Sequence, residues 1–156
     1  MKQLIFLICA LFACINTAKA QVTISTSDLS GTKWQLDYQY DDNSKVYYEY
    51  TDTTMIWHRS DGSTFSYPYY LSDTIPTDFD YAKVGQPTKG HYFVRCHPQT
   101  GFIFCSSFES FDKSDGTMVQ KLESEGVITS ADTYNFIMIP SNKPRGNNSK
   151  PYESNW

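Results

Sequence analysis

Leu-Ser-Gly-Thr-Lys-Trp-Gln-Leu-Asp-Tyr-Gln-Tyr, residues 29 to 40, is the stretch that decides the fold. In its second half Trp34, Leu36, Tyr38 and Tyr40 alternate with Gln35, Asp37 and Gln39. A period of two places apolar and polar side chains on opposite faces of a strand, so this segment predicts one buried and one wetted face. Gly31 releases the chain from a short helical turn at Asp28-Leu29-Ser30 into that strand. Residues 21 to 28, rich in Ser and Thr, read as a leader that adds little.

The same grammar continues down the chain, and no segment sustains a helical period. Val46, Tyr48 and Tyr50 alternate with Tyr47 and Glu49, and after the turn Thr51-Asp52-Thr53 a further strand carries Met55 and Trp57. Asp61-Gly62 reads as a tight two-residue hairpin turn, because Asp-Gly supplies positive φ cheaply. Phe65, Tyr67, Tyr69 and Leu71 then share a face, with Pro68 on the opposite parity marking an edge, bulge or bend. Residues 90–97 and 102–111 form another hairpin, Asp115-Gly116 turns the chain again, and strands follow at 117–123, 127–129 and 134–139. About nine strands at hairpin spacing predict an all-β domain over residues 29–140, an antiparallel up-and-down β-barrel whose closure leaves no unpaired edge. Asp73 to Lys89, with Pro76, Gly85 and Pro87, breaks the pattern and reads as a long connection with one short strand around Phe79. Such connections often carry binding groups, which makes it a candidate mouth or lid.

The ends carry their own signals. Lys2, the apolar run Leu4 to Ile15 and the small-x-small Ala18-Lys19-Ala20 predict a signal peptide over residues 1–20, hence export to the periplasm or beyond. The run is shorter than the roughly 20 residues of a spanning helix. Leu11-Phe12-Ala13-Cys14 offers a competing lipoprotein reading with Cys14 as anchor. Residues 141–156, Ser, Asn, Pro and Lys rich, read as a disordered tail. Cleavage removes Lys2 and Lys19, so 13 basic residues become 11 against 17 acidic, a charge of −6. An acidic chain without a basic run speaks against nucleic acid and anionic lipid as partners.

Cys9 and Cys14 leave with the signal, while Cys96 and Cys105 flank the turn-rich His97-Pro98-Gln99-Thr100-Gly101. An even loop would set them on one face and permit a cross-strand disulfide in an oxidising compartment, which we expect over two buried thiols. The three histidines and two cysteines have no zinc spacing, and no nucleophile or phosphate-loop motif occurs. The sequence thus points to no catalytic residue, metal or cofactor, and to binding rather than catalysis. Trp34, Tyr38, Tyr48, Tyr50, Trp57, Phe65, Tyr67, Tyr69, Phe102 and Phe104 fall on inward parities. Rings with a few hydroxyls on an inner wall would make an apolar pocket with polar handles for a small apolar or amphipathic ligand. The alternative is an interior filled by its own side chains, leaving a cell-envelope protein- or glycan-interaction module that binds through outward rings such as Tyr47 and Tyr70.

Gly31-Thr32-Lys33-Trp34 on the first strand and Tyr69-Tyr70-Leu71-Ser72-Asp73-Thr74 further on resemble the lipocalins and wider calycin barrels, in particular small lipocalin-like proteins exported by bacteria. The resemblance extends over Leu29 to Pro140 and implies a ligand inside the barrel. The Gly-Thr-x-Trp-x-Leu start is also similar to META-type domains of bacterial envelope proteins.

Overall fold

A computed structural model describes residues 21–37, 46–124 and 133–140. The signal-like segment 1–20 with Cys14, the expected strand at 127–129, and the tail 141–156 lie outside the described residues, as do Tyr38 and Tyr40. Strand β1 spans Ile24–Ser25, helix α1 Thr26–Leu29, β2 Lys33–Leu36, β3 Tyr47–Tyr50, β4 Thr54–His58 and β5 Thr64–Ser72. After a 3-10 turn at Tyr81–Lys83 come β6 (Lys89–Gly90), β7 (Tyr92–Cys96), β8 (Ile103–Asp112), β9 (Thr117–Ser124) and β10 (Thr133–Ile139). No helix among the described residues is long and apolar enough to cross a membrane.

Eight strands close in the order β10-β2-β3-β4-β5-β7-β8-β9, every pair antiparallel. Closure joins the first and last of them: Leu36 lies opposite Phe136 and Trp34 opposite Met138. The chain is all-β and an up-and-down barrel, with two short strands left over. Those two, β1 and β6, pair with each other as Ile24 opposite Gly90 and Ser25 opposite Lys89. The expected leader is therefore built into the fold. Thr26 donates its N–H to the Thr88 carbonyl at 2.9 Å, and Leu29 is fully buried beneath the barrel. The Asp28 carboxylate accepts from the Ser25 N–H at 2.8 Å and from its hydroxyl at 2.7 Å, which holds Asp28 below the usual carboxylate range.

Turn chemistry sets the register. Gly31, at φ +74°, donates to the Tyr50 carbonyl at 2.8 Å and aims the chain into β2. The Asp61-Gly62 turn holds three residues, not two: Arg59 donates to the Ser63 carbonyl at 2.9 Å and Gly62 sits at φ +82°. Pro68 faces outward opposite Thr54, and β5 continues through it.

Alternation then sorts the side chains. Trp34, Tyr50, Tyr69, Leu71, Phe93, Phe108 and Met118 meet inside the barrel above α1 and form a packed half. The Trp34 indole N–H donates to the Thr32 hydroxyl at 2.7 Å, and the Tyr69 hydroxyl to the Thr51 carbonyl at 2.8 Å. Buried aromatic polar atoms thus find partners where the core is dense.

The connection from Asp73 to Lys89 differs from expectation. It contains no strand around Phe79 and runs as a strap along the outer wall. Its Phe79 and Val84 pack on Tyr70, Val94 and Cys105, with the Phe79 and Tyr70 rings 5.2 Å apart. The strap returns by close approach: at Gly90 a Cβ would lie 2.2 Å from the carbonyl carbon and oxygen of Ser72. Only glycine fits there.

The Cys96–Cys105 disulfide is likewise corrected, since both cysteines are buried and no disulfide joins them. Cys96 lies opposite Ile103 and Cys105 opposite Val94, so the two share the outward face but sit on a diagonal. Diagonal neighbours are about 7–8 Å apart, beyond ordinary disulfide reach. Tyr81 instead places its hydroxyl 3.7 Å from the Cys96 sulfur, a contact that raises the ionisation of Tyr81 above its ordinary value.

Candidate functional site

The interior is filled only halfway. Beyond the packed half lies a cavity of about 330 Å³, at the low end of what small-molecule sites require. Its end of the barrel is the one where the 59–63 and 97–102 turns sit, and where β2 and β9 end and β3 and β10 begin. Alternation explains the lining. Leu36 and Phe136 face it across the closure, Tyr48, Met55 and Trp57 from β3 and β4, and Tyr67 from β5. Arg95, Phe104, Ser106, Gln120 and Leu122 come from β7, β8 and β9, with Val46 and Tyr134 beside them.

The predicted ligand-binding residues divide between the two halves. Tyr48, Trp57, Tyr67 and Phe104 line the cavity. Trp34, Tyr50 and Tyr69 belong to the packed half, each no more than 2 % exposed. Phe102, in the turn, and Phe65, at the start of β5, are 39 % and 41 % exposed and sit on the rim. Phe102 stacks edge-on against Phe104 at 5.1 Å, and Phe65 tilts against Trp57 at 6.0 Å. Tyr38 lies outside the described residues. Of the outward rings, Tyr70 is covered by the strap and Tyr47 stacks on His58 at 4.1 Å.

Arg95 is the residue that sequence reasoning missed. It follows Phe93 by two positions on β7, so the parity that sends Phe93 inward sends Arg95 inward as well. Its guanidinium carbon lies 5.1 Å from the Phe104 ring, 5.7 Å from Tyr67 and 6.0 Å from Phe93. Each such ring contributes about 0.5–2 kcal/mol to holding a cation. Arg95 is half-buried, so these rings cover part of the guanidinium. None of the five ion pairs among the described residues involves Arg95. Its Nε is buried with no hydrogen-bond partner, and so is Nε1 of Trp57. Two residues of the cavity lining thus each carry a buried N–H donor with no acceptor among the described residues.

Further polar groups lie around the cavity. Gln120 donates to the Met118 sulfur at 3.4 Å. Burial pushes the Tyr50 hydroxyl in the packed half well above its ordinary value, with the Arg95 charge pulling the other way, so Tyr50 stays neutral. His97 accepts the N–H groups of Gln99 and Thr100 on Nδ1, each at 3.3 Å, and so shapes the turn. On the rim Arg59 covers Trp57 at 5.4 Å and Phe65 at 5.9 Å.

These features define a closed, antiparallel eight-stranded barrel of calycin-like form with one dense half and one hollow half. Set against protein-family models, curated proteins and solved structures, the chain matches none.

Proposed function

We propose that the barrel binds a small apolar or amphipathic molecule non-covalently in its interior cavity, as an exported protein and not as an enzyme. The observation that carries this reading is the roughly 330 Å³ hollow walled by Trp57, Tyr67, Phe104 and Phe136 beside a dense core. A ligand burying on the order of 200 Å² of apolar surface there gains about 5 kcal/mol before the costs of association. The lipocalin resemblance of Gly31 to Trp34 supports a ligand inside, and the signal pattern of residues 1–20 supports export. Mass spectrometry of organic extracts and tryptophan fluorescence titration with medium-chain aliphatic compounds test the proposal. Trp57 should report binding and Trp57→Phe should lose most of the response. No co-purified ligand together with a flat titration across neutral and charged compounds would overturn it.

A second reading draws on the rim, where Phe65 and Phe102 expose apolar rings beside the cavity. They suit an interaction module for an envelope protein or glycan. Glycan-array binding that Phe65→Ser abolishes while interior binding persists would favour it.

A further inference from the structure

We infer that the cavity's ligand carries an anionic, acceptor-only head group such as a carboxylate, and that Arg95 is the residue that selects it. The inference rests on the binding reading above and narrows it to a chemical class. Among the described residues that line the hollow, Arg95 alone is charged, in a chain whose formal charge is −4. None of the described residues that line the hollow is a carboxylate, and none of the described ion pairs takes up Arg95, one of three arginines in the chain. Three rings around the guanidinium hold it in place, and a ring face accepts no conventional hydrogen bond at Nε.

The orphaned atoms agree in kind. Nε of Arg95 and Nε1 of Trp57 are both N–H donors, and neither can accept. A ligand matching this wall presents lone pairs, not hydrogens. A carboxylate offers only acceptors and brings the charge that Arg95 lacks, and the hydrogen bonds it forms are of the strong, charge-assisted kind. An alcohol or amine would leave Arg95 unbalanced, and a cationic head would meet a like charge. The rest of the lining, Met55, Leu122 and Phe136 among it, takes an aliphatic or aromatic body.

The test uses matched compounds on the full chain after delipidation: decanoate, decanol and decyltrimethylammonium, followed by displacement of a neutral fluorescent probe at pH 8. Decanoate should bind at least about tenfold more tightly than decanol, and the cation not measurably. In Arg95→Gln the preference should vanish while decanol binding is kept; in Arg95→Lys, which retains charge without the planar fork, part of it should return. Trp57→Phe, which leaves Arg95 in place, should reduce decanoate affinity more than decanol affinity and serves if Arg95→Gln does not fold by near-UV circular dichroism. Equal binding of decanoate and decanol, or a preference that survives Arg95→Gln, overturns the inference and leaves the binding reading intact. Failure of every compound to displace the probe or bind overturns the binding reading itself.

Discussion

Replacing Ser106 by leucine separates a hollow interior from a filled one by the sign of a stability change. Ser106 is 4 % exposed, faces inward opposite Phe93 on the neighbouring strand and borders the cavity. Leucine exchanges a hydroxyl for three carbons, two to three methylene equivalents at about 0.8 kcal/mol each, so burial gains about 2 kcal/mol. Fixing the new side chain costs about 0.5–1 kcal/mol of rotamer entropy, leaving a net gain of about 1 kcal/mol. For a domain of this size that is a rise in Tm of roughly 3–6 °C. Met118→Phe, placed in the dense half where Met118 is fully buried, should instead lose about 1–3 kcal/mol to overpacking. Urea and thermal denaturation of delipidated protein measure both, since bound ligand would raise Tm by mass action. Ser106→Leu should also weaken decanoate binding by occupying its volume. A Ser106→Leu protein destabilised by more than 1 kcal/mol, with ligand affinity unchanged, would refute the hollow half.

Gly90→Ala should cost about 3 kcal/mol, the upper range for overpacking, because its Cβ would meet the Ser72 backbone at 2.2 Å and backbone cannot yield; chemical denaturation measures it. Tyr50 ionises above its ordinary value because it is buried, so its contribution is complete below about pH 10 and falls as pH rises further, by about 1.4 kcal/mol per pH unit. Urea midpoints at pH 9, 10 and 11 should show a fall at least that steep, and Tyr50→Phe should make it shallower, leaving the part due to Tyr69, which burial raises likewise. Cys96 and Cys105 should resist iodoacetamide in the folded protein and both react in guanidinium without reductant, as peptide mass mapping would show.

Much of the barrel is written in local pattern. The alternation at Trp34 and Leu36, at Phe65 to Leu71 and at Phe93 follows directly from burying one face of each strand, and the Asp-Gly turns mark where strands reverse. Distant contacts leave weaker traces. Pairing of residues 24–25 with 89–90 depends on Gly90 accepting the Ser72 backbone, which no periodicity announces. The prolines and glycines of the strap mark it as irregular, which suits a mouth or lid as well as a strap, while its destination is set by Phe79 finding Tyr70. The two cysteines have the right face and the wrong diagonal, a matter of two residues of register. Which inward rings line a cavity and which fill a core depends on where α1 caps the barrel, so Trp34, Tyr50 and Tyr69 fell to the dense half. Arg95 was legible by parity alone, and a charged residue on an inward position is easily assigned to the surface.

Nitrogen-15 NMR of the side-chain N–H groups, recorded while decanoate is added, tests the central claim most directly. The Trp57 indole and Arg95 Nε–H resonances, both without a hydrogen-bond partner among the described residues, should shift on binding, while the Trp34 indole, held by the Thr32 hydroxyl in the dense half, should stay in place. Saturable binding that leaves Trp57 and Arg95 unmoved would place the ligand elsewhere and contradict a barrel built to hold it inside.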